Sequence, residues 1–182
     1  RGILINKLNP NLKIIKSLNK IAENSDVILL CINAQSMFDF LANNSNSFKN
    51  KPLVFCSKGI DTKYCLFQTE IAERFLDKKL FSVLSGPGFA SDIVREKPIA
   101  LSLACKNVNL GKKLQHMLSS QSIRIYLNSD LIGTQLGGAL KNVIAIACGI
   151  ADANELGEGA KSAIITRGFS EIRQIGKTFG CK

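Results

Sequence analysis

One long helical segment carries a lysine in a strip of small residues. Spacing of 3.6 residues per turn places Gly137, Gly138, Ala145 and Cys148 on the same helix face as Lys141. An interior glycine costs a helix roughly 1 kcal/mol relative to alanine, so two adjacent glycines indicate that something approaches the backbone closely. Lys141 points toward whatever occupies that space, and its ammonium group is a cation and a proton donor. The alternative is a helix-packing face from which Lys141 extends into solvent, and both interpretations stay open at this point.

Two further candidate ligand-binding features follow predicted strands. Lys58 lies directly after the strand 53–56, and the loop 85–90 (Ser-Gly-Pro-Gly-Phe-Ala) follows the strand 80–84. In open α/β sheets, ligands gather beyond the carboxyl ends of the strands. The loop's two glycines leave backbone N–H groups uncovered, and the helix predicted just after it favours phosphate or another anion. A plain surface lysine and an ordinary strand-to-helix turn are the simpler explanations of the two features taken alone.

Predicted strands and helices position these residues. Along the first two-thirds of the chain, short apolar runs alternate with segments of helical periodicity. The sequence predicts strands at 26–32, 52–56, 80–84, 98–104 and 123–126. Between them it predicts helices near 11–23, 35–46, 64–77, 89–95 and 107–120. This order indicates an open α/β sheet with crossover connections, in which the later strands are of mixed direction.

From about Asn128 the strand signal stops and two long helices are predicted, at 130–153 and 158–179. The first carries an apolar stripe that is typical of a core face, formed by Leu136, Leu140, Val143, Ile144 and Ala147. The sequence therefore predicts an α/β domain over residues 1–128 and the beginning of an all-helical domain over residues 129–182.

Composition narrows the classes of partner. The formal charge is +10, which attracts anions in general, but the lysines are scattered and aromatic residues make up only 7%. We therefore expect no nucleic-acid partner. No membrane insertion is expected either, because no apolar run approaches the ~20 residues that cross a bilayer. The sequence has a single histidine, His116. We therefore expect neither a metal site nor a Ser-His-Asp triad.

Six cysteines lie far apart, at positions 31, 56, 65, 105, 148 and 181, without a C-x-x-C pair. Most of them stand inside apolar runs, which predicts buried, reduced thiols. Such thiols are typical of proteins of the cytosol, so we expect a cytoplasmic protein.

Three segments of the sequence closely resemble bacterial NAD(P)-dependent glycerol-3-phosphate dehydrogenase. They are the loop 85–90, the segment 132–145 with its Gly-Gly-Ala-Leu-Lys-Asn run, and the segment 163–171 with Thr-Arg-Gly-Phe-Ser-Glu. The likeness runs in order over essentially the whole chain. It implies an incomplete Rossmann-like nucleotide-binding domain followed by the start of an all-α substrate-binding domain.

The resemblance also implies a reaction and roles for individual residues. The family reduces dihydroxyacetone phosphate to sn-glycerol 3-phosphate with NADH or NADPH, which supplies glycerophospholipid synthesis. Lys141 matches the catalytic acid/base, which also contacts substrate, and Lys58 matches a lysine that contacts both cofactor and substrate. Gly86 and Gly88 match substrate contacts, and Ala90 matches a cofactor contact. The implied partner is this small-molecule substrate, with a homodimer for the full-length protein.

Several positions depart from the family pattern. Asn33 replaces a proline, Gly88 replaces a hydroxyl residue and Gly159 replaces an asparagine. The sequence also contains neither the Gly-rich fingerprint that cradles the pyrophosphate nor the Ser-Arg-Asn run that grips the substrate phosphate, and it begins with Arg1. We therefore expect a fragment of a longer enzyme.

Two alternatives remain. One is a related dehydrogenase of the β-hydroxyacid or 6-phosphogluconate type, which typically has an asparagine four residues after its lysine. Here Asn142 is adjacent to the lysine and position 145 is alanine, which disfavours that type. The other alternative is a truncated, non-catalytic remnant of the glycerol phosphate enzyme.

Overall fold

A five-stranded sheet forms the centre of the structure, a computed structural model that describes residues 10–181. Its strands are β1 (Ile28–Leu30), β2 (Leu53–Phe55), β3 (Phe81–Ser85), β4 (Ile99–Cys105) and β5 (Ile123–Asn128). They lie side by side in sequence order. The pairs β1–β2, β2–β3 and β4–β5 are parallel, whereas β3 and β4 are antiparallel. The predicted change of strand direction late in the sheet is therefore confirmed.

Seven α-helices accompany the sheet within the described residues. They are α1 (Leu18–Glu23), α2 (Met37–Asn44), α3 (Gln68–Glu73), α4 (Ala90–Val94), α5 (Val108–Leu118), α6 (Leu131–Ala153) and α7 (Gly157–Thr178). The predicted helices 11–23 and 64–77 were too long. Residues 12–17 are not helical, and Asp61 and Leu66 form an isolated bridge ahead of α3.

The two faces of the sheet bury separate cores, because side chains alternate along each strand. One face packs against α1, α2, α3 and the start of α6, and its strand residues include Ile28, Leu30, Leu53, Phe55, Phe81 and Val83. The other face packs against α5 through Val54, Leu103, Leu114 and Ile125. This sheet with helices on both sides, followed by two long helices, confirms the predicted fold class.

Helix α6 exposes more apolar surface than its sequence predicted. Leu136 is buried, but Val143, assigned to the core stripe, is 62% exposed, and Ile146 and Ile150 are also exposed. The stripe prediction was therefore wrong at Val143. By length and composition alone, α6 could cross a membrane, contrary to the expectation that no such stretch exists, although one such helix is weak evidence for a span.

The cysteines are less buried than expected. Cys105 and Cys148 are buried, whereas Cys31 and Cys65 are exposed and the other two are intermediate. Cys31 stands in an apolar run, but it follows β1, which is an edge strand among the described residues, and Leu29 of that strand is 45% exposed. All six cysteines are free in the structure, and the expectation of reduced thiols stays a prediction.

A buried pair of polar side chains fastens α6 to the α/β layer. The Gln135 amide donates to Thr69 Oγ1 at 2.9 Å and to the Leu131 carbonyl at 2.9 Å. In return, the backbone N–H of Thr69 donates to Gln135 Oε1 at 3.1 Å. Both side chains are almost completely buried, so each needs the other to satisfy its hydrogen-bonding groups.

Replacing Gln135 by alanine should destabilise the fold, because it leaves two buried groups of Thr69 without their partner. We expect the free energy of unfolding to fall by about 1–3 kcal/mol in urea denaturation. Gln121, which is exposed in a turn, provides the matched control, and Gln121→Ala should change stability by less than about 0.5 kcal/mol. Equal effects of the two substitutions would show that the buried pair contributes nothing specific.

Candidate active site

Lys58 stands in a sharp turn after β2 that is tied to the end of β1. The backbone N–H of Cys56 donates to the Leu30 carbonyl at 3.0 Å, and the Ser57 hydroxyl donates to the Ile32 carbonyl. Gly59 has a φ of +137°, which favours glycine, and a Cβ there would lie 3.1 Å from that of Ala34. The turn therefore holds Lys58 at the carboxyl end of the parallel strands.

Two glutamines that the sequence reasoning missed support this turn. Gln35 donates to the Ile60 carbonyl at 2.8 Å and accepts from the Thr62 N–H at 2.9 Å. The buried Gln68 side chain donates to the Gly59 carbonyl at 3.2 Å. Both glutamines reach across the fold to backbone groups, and no local sequence motif marks such contacts.

The loop after β3 turns at Gly86. Its φ is +147°, and a Cβ at this position would lie 2.9 Å from Leu101 Cδ2 and 3.1 Å from the Ala100 carbonyl oxygen. Glycine is therefore required both by conformation and by the close passage of β4. Gly88 is also crowded, since a Cβ there would lie 3.0 Å from Leu101 Cδ2. A larger hydroxyl residue at Gly88 would need Leu101 to move, which gives the departure at this position a structural reason.

The other two departures differ in their surroundings. Asn33 caps a short 3-10 turn, because its side chain accepts a hydrogen bond from the Gln35 N–H at 2.9 Å. A Cβ at Gly159 would have nothing within 4 Å, so no neighbour in the structure explains glycine there.

Helix α6 starts after β5 and packs against β3 and β4, with Gly138 close to the turn that follows β2. Its N-cap is Asp130, whose carboxylate accepts from the Gly133 N–H at 2.8 Å. Gly138 provides the point of closest approach. A Cβ there would lie 2.6 Å from Ser85 Oγ and 3.7 Å from Lys58 Cγ. The close approach inferred from the two glycines is thus present at Gly138, whereas Gly137 has nothing within 4 Å.

Because of this close approach, the charge of Lys141 acts on Lys58. Burial lowers the pKa of Lys58 below its usual range, the positive charge of Lys141 lowers it further, and Cys56 opposes the shift. Lys141 is half-buried on the face of α6 that carries the glycines. The two ammonium groups therefore act on the same small region.

An open cavity of about 960 Å³ lies beside Lys141, between α6, α7 and the ends of β3, β4 and β5. Polar groups from five elements line it, among them Ser85, Ser102, Asn128, Thr134 and Arg173. Gly137 also lines the cavity, so its missing side chain leaves open space there. A smaller cavity of about 260 Å³ lies at the amino ends of β2 and β3, away from the edge where ligands bind in such sheets.

The structure brings together three of the five residues singled out by the sequence. Gly86 and Lys141 line the cavity, and Lys58 packs against Gly138 at its side. Gly88 is not a lining residue, and Ala90 is exposed at the first position of the five-residue helix α4. The sequence reasoning missed Arg173 and Lys177, which lie four residues apart on α7 and both face the cavity. Their i, i+4 spacing was the available signal.

The two adjacent glycines should respond differently to alanine. Gly137→Ala should stabilise the chain by up to about 1 kcal/mol, because alanine favours the helix and its methyl group meets nothing. Gly138→Ala should lose that gain, because its methyl group collides with Ser85. Denaturation of the double variant Gly138→Ala/Ser85→Ala tests the cause, since removing the hydroxyl should restore stability. A Gly138→Ala chain as stable as Gly137→Ala would contradict the close approach.

The pKa of Lys58 should report the charge of Lys141. Lys141→Met removes a neighbouring positive charge, which favours protonated Lys58, so the pKa of Lys58 should rise. Lys141→Arg keeps the charge and should leave it nearly unchanged. NMR titration of isotope-labelled lysines measures both variants, and an identical pKa in all three proteins would show that the lysines do not interact.

Family models match two parts of the chain. The N-terminal domain of NAD-dependent glycerol-3-phosphate dehydrogenase matches residues 2–111, and the C-terminal domain of the same family matches residues 130–182. The second match contains α6 and α7.

The curated relatives that the chain matches are also glycerol-3-phosphate dehydrogenases. A glycerol-3-phosphate dehydrogenase (NAD(P)+) from Roseobacter denitrificans is 43% identical over 155 residues, which are 85% of this chain and 48% of the relative. One from Paracoccus denitrificans is 37% identical over 175 residues, 96% of this chain and 55% of the relative. The chain thus spans about half the length of the relatives that it matches.

Solved structures agree in fold. The glycerol-3-phosphate dehydrogenase of Coxiella burnetii superposes with a TM-score of 0.82 at 28% identity, over 95% of this chain and 55% of that one. The enzyme from Saccharomyces cerevisiae gives 0.81 at 24% identity, over 94% and 52%, which is evidence for the fold alone. These matches confirm the Rossmann-like domain and the helical part that follows it, and the chain belongs to the NAD-dependent glycerol-3-phosphate dehydrogenase family.

Proposed function

We propose that this chain forms the central part of an oxidoreductase that interconverts dihydroxyacetone phosphate and sn-glycerol 3-phosphate with NADH or NADPH. The observation that carries the proposal is the placement of Lys58 and Lys141 around Gly138, beside an open cavity that Lys141, Arg173 and Lys177 line with positive charge. The relatives are glycerol-3-phosphate dehydrogenases that use NAD(P)+, and the two lysines are groups that such a reaction can use. We also propose that the product, sn-glycerol 3-phosphate, supplies glycerophospholipid synthesis and that the protein is cytoplasmic.

The cavity suits a small anionic substrate. Lys141, Arg173 and Lys177 contribute positive charge to its lining, and Asp130 is the acidic residue among the lining groups. A phosphate group is drawn to such cations, and hydroxyl and amide groups such as Ser102 and Asn128 are suited to hydrogen bonds with a hydroxy ketone.

The residues at the sheet edge also fit one end of a dinucleotide cofactor. Lys58 stands at the carboxyl ends of parallel strands, where nucleotides bind in such sheets, and Gly137 leaves room on the cavity wall. We assign cofactor contacts to Lys58 and Ala90, and substrate contacts to Lys58, Gly86, Gly88 and Lys141. In this proposal the site lies between two domains, which comprise residues 1–128 and residues 129–182.

Lys141 acts as the acid and base of the reaction. Reduction of the carbonyl carbon requires a hydride, which NAD(P)H supplies when it is bound. Negative charge then develops on the carbonyl oxygen, and the Lys141 ammonium donates a proton to that oxygen. In the oxidation direction, the neutral Lys141 amine accepts the hydroxyl proton. Lys58 adds a second positive charge next to this oxygen and stabilises the same developing charge.

Binding of the phosphate ligand can be tested on the chain itself. Isothermal titration with sn-glycerol 3-phosphate should give saturable binding that Lys141→Met and Lys58→Met each weaken. Lys49→Met, at an exposed lysine beside the smaller cavity, serves as the matched control and should bind like the parent chain. Titration with NADH and NADPH completes the experiment. A folded chain that binds neither nucleotide nor phosphate ester would favour the non-catalytic remnant.

Turnover should depend on the proton at Lys141. In the full polypeptide of the source cell, Lys141→Met should lower kcat for dihydroxyacetone phosphate reduction by about 10²–10⁴-fold, the usual contribution of a general acid. Lys177→Met, which removes a cation from the cavity wall but no proton donor at the proposed position, should raise KM more than it lowers kcat. Turnover that survives Lys141→Met would overturn the assignment.

A further inference from the structure

Two cysteines directly follow neighbouring strands at the site's edge of the sheet. Leu30 pairs with Phe55 in the parallel register of β1 and β2, so Cys31 lies next to Cys56. The Cys56 N–H donates to the Leu30 carbonyl at 3.0 Å, which continues the ladder to this point. Neighbouring strands lie about 4.8 Å apart, and disulfides join Cα atoms that are about 4.4–6.8 Å apart. The backbone spacing is therefore compatible with a disulfide.

The two side chains also point to the same side of the sheet. Leu30 and Phe55 are both buried in the core on the first face, so the residues that follow them point to the opposite face. The two thiols are close enough for each to shift the pKa of the other. In the structure the Cys56 thiol donates to the Val54 carbonyl at 3.7 Å.

The pair combines an accessible nucleophile with a second thiol behind it. The hydrogen bond from Cys56 lowers the pKa of the exposed Cys31 to about 6, against the opposing effect of partial burial. The same hydrogen bond and burial raise the pKa of Cys56, whereas the charge of Lys58 acts to lower it. These are the groups that act on the pair, and at neutral pH they leave Cys31 as a thiolate and Cys56 as a thiol.

We propose that Cys31 and Cys56 are a redox modification site, which a low-molecular-weight disulfide such as oxidised glutathione converts to an intramolecular disulfide. The Cys31 thiolate attacks one glutathione sulfur, which forms a mixed disulfide and releases one glutathione thiolate. Cys56 then loses its proton to solvent and attacks the Cys31 sulfur, which releases the second glutathione thiolate. The two protein thiols are oxidised and one glutathione disulfide is reduced to two thiols.

The bond would form two residues before Lys58, in the turn that holds this lysine at the sheet edge. It would also remove the thiolate charge from that edge. In a reducing compartment such a bond is transient, as in redox-sensing proteins. The proposal depends on the strand register and the thiols alone, so it stands or falls separately from the proposed reaction.

Peptide mapping provides the direct test. The reduced chain is incubated with oxidised glutathione at neutral pH, quenched with acid, alkylated and digested with trypsin. A cross-link between peptides 21–49 and 50–58, which contain Cys31 and Cys56, is the expected product, and dithiothreitol should remove it. Cys31→Ser and Cys56→Ser should each abolish the cross-link. Cys65→Ser, at another exposed cysteine, is the matched control and should retain it.

Alkylation rates give a second measurement that needs no disulfide. The rate of Cys31 alkylation by iodoacetamide should rise with a midpoint near pH 6. Cys56→Ala removes the hydrogen-bond donor and should move this midpoint upward, whereas Cys65→Ser should leave it in place. A parent chain that forms only glutathione adducts, or only links between molecules, would overturn the proposal. So would a Cys31 midpoint that is the same with and without Cys56.

Discussion

The contact between α6 and the sheet edge at Gly138 is the constraint on which the candidate site depends. A side chain at this position would force Ser85 to move, because a Cβ there would lie 2.6 Å from the serine hydroxyl. The buried hydrogen bonds between Gln135 and Thr69 hold the same helix turn in place. These contacts fix the backbone of α6. Lys141, one turn further along the helix, lines the cavity and is close enough to lower the pKa of Lys58.

This geometry also explains why a helix of weak intrinsic propensity persists. The glycines of α6 each forfeit roughly 1 kcal/mol of helix stability, so packing must compensate. At Gly138 the compensation is close contact with the sheet, whereas Gly137 makes no such contact and instead leaves space at the cavity wall. Two neighbouring glycines thus serve different purposes, one for packing and one for access. A binding site between two layers requires both.

The described part of the molecule is unevenly covered. The sheet buries cores on both faces, but α6 and α7 expose Val143, Ile146, Ile150 and Phe169. The chain spans about half the length of its relatives, and the C-terminal family model matches only from residue 130 onward. The family-model match over residues 130–182 assigns α6 and α7 to the family's C-terminal part.

The sequence alone determined the order of elements and the fold class, because these features depend on local periodicity and on motifs of neighbouring residues. It singled out Lys58 and Lys141 through the resemblance to the family, and their roles remain a proposal. It could not determine how much of α6 is covered, since Val143 has the spacing of a core residue and lies exposed. It also could not find Gln135 with Thr69, or Cys31 with Cys56, because each pair is joined only by long-range packing. Periodicity specifies which face of an element is apolar, whereas only the tertiary structure decides what that face meets.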